Sequence, residues 1–72
     1  MSAEYSVGRI DLWKNTAGDF IVAIRDKVGH TIIDDTGHKE ESAFMHKTPA
    51  VKQGKMLAKH YGVLLFIDKT AQ

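Results

Sequence analysis

The 72-residue chain has no cysteine, a single proline and a net charge of only +1. The absence of cysteine excludes disulfides, zinc–thiolate sites and thiol catalysis, and it is typical of proteins in a reducing cytosol. The longest apolar run, Val63 to Ile67, is far shorter than the roughly 20 residues that a membrane-spanning helix needs. We therefore expect a cytoplasmic protein that does not enter a membrane.

The composition is that of a globular domain, because 43% of the residues are hydrophobic and 26% are charged. The length leaves room for one domain, residues 1–72. A domain of this size buries only about 60% of its unfolded surface, so its core is marginal. Small domains without disulfides or metals are often stabilised by a second chain. We expect the protein to pair with itself as a homodimer or to bind another protein.

Apolar and polar side chains alternate along residues 6–15 and again along residues 19–27, which is the pattern of half-buried strands. Turn residues separate the two stretches and predict a hairpin. A five-residue loop aligns Leu12 with Phe20 and keeps the apolar side chains on one face. The opposite face is then predicted to carry Arg9, Trp13 and Arg25.

A third strand is predicted to begin at Thr31 and to fray after Ile33, which completes a three-stranded antiparallel meander over residues 6–36. Its register stays open, because Ile32 and Ile33 compete for the core. Residues 37–47 are predicted to form a polar loop, either with a short helical turn or as a flap over a sheet edge.

Thr48 followed by Pro49 predicts the start of a helix over residues 48–61, with Thr48 as its N-cap. Apolar residues follow at helical spacing, and Gly62 stands where the C-terminal glycine of a helix is expected. Gly54 lies within the apolar stripe. A glycine in this position predicts a close approach of the helix to the sheet.

Residues 63–68 predict a final strand, because a short, continuously apolar run is typical of a strand that is covered on both faces. This strand follows the helix directly, so it can pair parallel to an earlier strand or with a strand of another chain. The predicted fold class is α+β in the order β-β-β-α-β: a three-stranded antiparallel meander, one helix and a final strand.

The sequence predicts no catalytic residue, no metal site and no cofactor. Its four histidines are separated by 8, 8 and 14 residues, and none of these spacings is that of a metal-ligand pair. A glycine-rich phosphate loop and a nucleophile motif are both absent from the sequence. We therefore expect a protein that is not an enzyme.

One candidate surface would bind nucleic acid. Aromatic and arginine side chains on an outward sheet face, here Arg9, Trp13 and Arg25, can stack on bases and neutralise phosphates. A three-stranded sheet followed by a helix is also similar to integrase arm domains that read duplex DNA. The predicted helix adds a basic ridge of Lys52, Lys55 and Lys59. The near-zero net charge, however, is low for a nucleic-acid binder.

The other candidate surface would bind protein. Some apolar residues are left over once the predicted core is filled: Phe44 and Met45 in the predicted loop, and Met56 on the helix. Methionine and aromatic residues are enriched at the centres of protein interfaces, and Trp13 can likewise fill a dimer contact. We therefore expect a small non-enzymatic protein-binding module, such as an inhibitor, an antitoxin-like regulator or an accessory subunit, that forms a homodimer. The alternative is a nucleic-acid-binding module.

The segments Arg9–Lys14, Ala17–Phe20 and Gly29–Ile33 resemble the YegP-like small domains, in which a strand with an aromatic residue, a glycine turn and a second strand precede a helix. This resemblance covers about the first half of the chain. Because the family has no established function, the resemblance implies a fold but no activity.

The element order is similar to the front half of a ribonuclease H-like fold, a form that HicB-type antitoxins use without catalysis. Ribonuclease H enzymes need acidic residues on the first strand, in the helix and at the end of the fourth strand. Asp11 and Asp68 match the first and last of these positions, but residues 48–62 contain no carboxylate. A two-metal site needs that ligand, so the resemblance implies a partial fold without catalysis.

Overall fold

The computed structural model describes residues 7–33, 36–37 and 39–72. These residues form an α+β fold, as predicted, in which one helix packs on a four-stranded sheet. The elements in chain order are strands β1 (Val7–Lys14), β2 (Phe20–Asp26) and β3 (Glu41–Phe44), helix α1 (Lys47–Tyr61), strand β4 (Leu64–Ile67) and a 3₁₀ turn (Lys69–Ala71).

The strands lie in the order β3-β2-β1-β4. Strand β2 pairs antiparallel with β1 on one side and with β3 on the other, whereas β4 runs parallel to β1. The sheet is therefore mixed. Of the two pairings left open for the final strand, the structure shows the parallel one within the chain. Helix α1 returns the chain to the edge of the sheet at which β4 joins β1.

The hairpin of β1 and β2 has the predicted faces but a register that differs by two residues. Leu12 lies opposite Val22, not opposite Phe20. The loop consists of residues 15–19, between the paired strand ends Lys14 and Phe20, and this pairing places Leu12 opposite Val22. The backbone N–H of Asn15 donates to the carbonyl of Asp19 at 2.9 Å and closes the loop in the same register. A shift of two residues leaves every side chain on its predicted face, because side chains alternate with a period of two.

The predicted position of the third strand is wrong. Thr31 and Ile33 form only isolated bridges, and β3 lies at Glu41–Phe44, inside the segment predicted as a polar loop over residues 37–47. After a tight turn, the backbone N–H of Ile32 donates to the carbonyl of Ile24 near the end of β2, and the rest of β2 pairs with β3. Pairing with β2 holds residues Glu41–Phe44 as a strand, although their polar and apolar side chains do not alternate. Three residues of the intervening stretch, Asp34, Asp35 and His38, lie outside the described residues.

Helix α1 begins one residue before the predicted start, at Lys47, and its N-cap position is His46, which makes no side-chain capping bond. Thr48 is therefore inside the helix, and its predicted capping role is wrong. Pro49 is tolerated there because the N–H groups of the first turn have no partner within a helix. The predicted C-terminal glycine is confirmed, since Gly62 adopts the left-handed conformation at φ 67°.

Helix α1 covers one face of the sheet and encloses the core between them. The core residues are Ile10, Leu12, Val22, Ile24, Ile32, Ala50 and Ala71. Of the two isoleucines that could enter the core, Ile32 is buried and Ile33 is 55% exposed. The predicted close approach at Gly54 is confirmed, because a Cβ atom there would lie 2.8 Å from Leu65 Cδ1.

Strand β4 is covered on one face only, which corrects the prediction of a strand that is covered on both. Leu65 and Ile67 pack against the core. Leu64 is 81% exposed and Phe66 is 53% exposed on the other face. Since α1 lies on the core side, nothing in the described part of the chain covers that second face.

Candidate functional site

The sheet face that points away from α1, here called the outer face, carries a mixed set of arginine, carboxylate and apolar side chains. Ladder partners share a face and alternate residues point the same way, so the register assigns this set. The outer face consists of Arg9, Asp11, Trp13, Ile21, Ala23, Arg25, Glu41, Ala43, Leu64 and Phe66.

Asp11 lies at the centre of the outer face, between two guanidinium groups, and is only 7% exposed. Its Oδ2 atom accepts hydrogen bonds from Arg25 Nε at 2.9 Å and Arg9 Nη2 at 3.2 Å. Its Oδ1 atom lies 2.7 Å from Arg9 Nε, but this ion pair lacks the alignment of a hydrogen bond. Asp11 therefore holds both arginines with one carboxylate and keeps acceptor capacity at Oδ1.

Each arginine also lies against an aromatic ring. The guanidinium of Arg25 is 5.0 Å from the ring centroid of Trp13, and that of Arg9 is 5.5 Å from the centroid of Phe66. These are cation–π distances. Each arginine therefore contacts both an aromatic ring and the shared carboxylate.

Gly8 lies at an irregularity near the end of the ladder between β1 and β2. Residues Arg9 to Lys14 pair with β2 in one continuous register that places Arg9 opposite Arg25, and this register shifts between Val7 and Arg9. A Cβ atom on Gly8 would lie 2.6 Å from the carbonyl oxygen of Asp26. Glycine at position 8 therefore permits a close approach of the two strands directly beside the arginine pair.

These side chains line an open cleft of about 360 Å³. The charged residues of its lining are three cations and two carboxylates, so the cleft carries one excess positive charge. The lining consists of Arg9, Asp11, Leu12, Trp13, Lys14, Arg25, Phe66, Asp68 and Thr70. A cleft of this size accommodates one side chain or one small planar acid.

The rim of the cleft is fixed by Asp68 and Thr70. The carboxylate of Asp68 accepts the backbone N–H of Thr70 at 3.0 Å and its hydroxyl at 2.7 Å. The hydroxyl oxygen in turn accepts the backbone N–H of Lys14 at 3.1 Å. The bonds from Thr70 lower the pKa of Asp68 below its ordinary value, so this carboxylate stays charged at neutral pH.

Replacing Asp68 with asparagine is expected to destabilise the protein at neutral pH and to have less effect in acid. A carboxylate with a depressed pKa stabilises the fold above its unfolded pKa of about 4, and this contribution is lost as the pH falls through the lowered folded value. Urea unfolding at pH 7 and near pH 3 measures the difference between Asp68→Asn and the unmodified protein. The variant Thr70→Val, which removes the hydroxyl donor, should show a smaller difference of the same kind. A difference that is equal at both pH values would contradict this role of Asp68.

The structure brings together only part of the predicted nucleic-acid surface. Arg9, Trp13 and Arg25 share the outer face, as predicted. The ridge of Lys52, Lys55 and Lys59 is exposed on α1, which packs on the other side of the sheet. The two halves of the predicted surface therefore face in different directions.

The predicted protein-binding residues are also dispersed. Trp13 lies on the outer face, whereas Phe44 is half-buried against the core. Met45 is 79% exposed after β3, and Met56 is 60% exposed on α1. Phe66 is not among the predicted site residues, because a continuously apolar run predicts a strand that is covered on both faces. The pairing of β4 with β1, which no local pattern reveals, is what places Phe66 beside Arg9.

Among the residues that the structure describes, no three histidine or carboxylate side chains are placed to hold a metal ion. In the same part of the chain, no helix is both long and apolar enough to cross a membrane.

Comparison with known proteins yields no match: no protein-family model, no curated protein and no solved structure is similar to this chain. The resemblances to YegP-like domains and to HicB-type antitoxins therefore stay predictions.

Proposed function

We propose that this protein is a small non-enzymatic protein-binding module whose outer face takes an extended acidic segment of a partner protein. One observation carries the proposal: Asp11 holds Arg9 and Arg25 against Phe66 and Trp13 in a cleft with one excess positive charge. A carboxylate that enters this cleft would neutralise the excess charge.

The arginines have donors left for such a carboxylate. Asp11 engages Arg9 through Nε and Nη2, and it engages Arg25 through Nε, while Arg25 Nη1 donates to the carbonyl of Gly29 at 3.2 Å. A guanidinium carries more N–H donors than these contacts use. Because both groups are already held in place, little side-chain entropy is lost when a ligand binds.

Charge favours a protein partner over nucleic acid. In the cleft, the cations of Arg9, Lys14 and Arg25 are matched by only two carboxylates, Asp11 and Asp68. Glu41 adds a further negative charge on the outer face outside the cleft. Binding to a nucleic-acid backbone requires several uncompensated cations along one surface. One excess charge suits one carboxylate better than a run of phosphates.

The apolar side chains of the outer face can contact apolar residues next to the acidic residue in the partner segment. Leu64 and Phe66 are exposed next to the cleft, and Trp13 forms part of its wall. Tryptophan and arginine are enriched among the residues that contribute most to protein interfaces. A segment with an acidic residue between apolar residues would therefore match both the charge and the apolar area.

The test is a selection from a displayed random-peptide library, followed by titration of the selected peptides against the fluorescence of Trp13, the only tryptophan of the chain. We expect the selected peptides to carry Asp or Glu beside apolar residues. Exchanging that acid for its amide should weaken binding by about tenfold or more, since the lost bonds are charge-assisted. Arg25→Gln should weaken it similarly, whereas Lys52→Gln on α1 is a matched control that should bind normally.

Selection of basic peptides, or of none, would contradict the proposal. So would equal weakening by Arg25→Gln and Lys52→Gln, because the second residue lies on the other side of the sheet. Oligonucleotide binding that falls steeply with salt and depends on Trp13 would instead support the nucleic-acid alternative.

A further inference from the structure

Strand β4 forms an edge of the sheet and consists of apolar residues only. Its four residues, Leu64–Ile67, include no charge and no proline, and the charged residues Asp68 and Lys69 follow only after the strand ends. Natural edge strands are commonly shielded by shortness, charged residues, proline or bulges, because their free peptide groups pair with other chains. The opposite edge, β3, carries a charge within the strand, at the exposed Glu41.

The free peptide groups of β4 can be identified. The N–H of Asp68 donates to the carbonyl of Leu12 at 2.8 Å, on the β1 side. Peptide groups alternate sides along a strand, so those of Leu65 and Ile67 face away from β1. The carbonyl of Ile67 accepts a bond from Gln72 Nε2 at 3.1 Å. Leu65 thus presents its N–H and carbonyl to the open edge at the centre of the strand.

We propose that β4 pairs antiparallel with β4 of a second copy of this chain, with Leu65 opposite Leu65 across a two-fold axis. In this arrangement the two Leu65 residues exchange both of their peptide hydrogen bonds, as a hydrogen-bonded antiparallel pair does. Leu64 of each copy then lies opposite Phe66 of the other on the outer face. Two of the most exposed apolar side chains of the sheet become covered on one flank by cross-strand contact, and their outward side stays open.

A second copy is the occupant that these observations favour. Identical strands match in length and apolar character, and the absence of charge on β4 means that nothing repels at the two-fold axis. The chain also gains from added apolar area, because the large, fully buried side chains among the described residues are limited to Ile10, Leu12 and Val22. The pairing uses the edge of the sheet and does not depend on the proposed binding of an acidic segment.

Sedimentation equilibrium of the full chain tests this pairing. We expect a mass of twice 8.0 kDa for the unmodified protein. Leu64→Lys should give a monomer, because each introduced ammonium group would lose its water in the contact and would lie beside the guanidinium of Arg9, the ladder partner of residue 64. Adding Phe66→Glu to this variant should restore the dimer through two ion pairs across the axis. Met45→Lys, at a residue of similar exposure away from β4, should remain dimeric.

Circular dichroism confirms that each variant is folded before its mass is interpreted. An unmodified protein that is monomeric at about 1 mM would overturn the proposal, since a useful pairing must be tighter than this. A dimer that resists Leu64→Lys but is lost in Met45→Lys would also overturn it. A double variant that stays monomeric would contradict the register centred on Leu65.

Discussion

Replacing Leu12 with alanine is expected to remove a large part of the stability of this protein. Leu12 has no exposed surface and packs in the core between the sheet and α1. Truncation of a fully buried leucine costs about 2–5 kcal/mol, from lost burial and from the cavity left behind. A chain of this length has a total free energy of unfolding of about 4–11 kcal/mol. Urea unfolding at neutral pH measures the loss.

Met45→Ala is the control for this substitution. Met45 is 79% exposed, so its truncation should change the free energy of unfolding by no more than about 0.5 kcal/mol. If Leu12→Ala were no more harmful than Met45→Ala, the position of the core between α1 and the inner sheet face would be wrong.

Replacing Asp11 with alanine is expected to weaken both the fold and the proposed binding. Without the carboxylate, the guanidinium groups of Arg9 and Arg25 lose their shared partner. Loss of one partner of a fully buried pair costs about 3–5 kcal/mol, but these side chains are 49% and 24% exposed, so we expect about 1–2 kcal/mol. Peptide affinity should fall by about tenfold, because the two arginines are no longer held in position.

A double-mutant cycle separates positioning from general destabilisation. If Asp11 acts on binding by holding both arginines, then Asp11→Ala should weaken peptide binding less in Arg25→Gln than in the unmodified protein, because only Arg9 is then left to hold. Fully additive losses in affinity would contradict this role. The stability of each variant, measured by urea unfolding, shows whether it is folded during the titration.

The faces of the hairpin could be predicted from sequence because they depend on a local pattern. Strict alternation along β1 and β2 assigns Arg9, Trp13 and Arg25 to one face whatever the exact register. The end of α1 could be predicted from an equally local signal, because Gly62 adopts the left-handed conformation that terminates the helix.

The third strand could not be predicted from its residues. Glu41–Phe44 has no apolar alternation, and it is a strand because β2 offers free peptide groups beside it. The segment Thr31–Ile33 has the better strand composition but pairs only at isolated bridges. Pairing partners, not propensity, decide which segment becomes a strand here.

The candidate site was predictable only in part, for a similar reason. The arginines and Trp13 are grouped by local alternation. The contribution of Phe66 depends on contact between strands that are more than 50 residues apart in the sequence, with Asp11 opposite Phe66. The role of Asp11 as the shared partner of both arginines requires the β1–β2 register as well. Separation of the lysine ridge from this site follows from the packing of α1 on the core face.

The most direct test of the proposed function is a map of the surface that a selected acidic peptide touches. Amide and side-chain N–H chemical shifts of the ¹⁵N-labelled protein would be followed during titration. We expect the largest changes at the indole N–H of Trp13 and at the Nε–H groups of Arg9 and Arg25, with no change along the ridge of α1. Changes confined to Lys52, Lys55 and Lys59 would contradict the assignment of binding to the outer face.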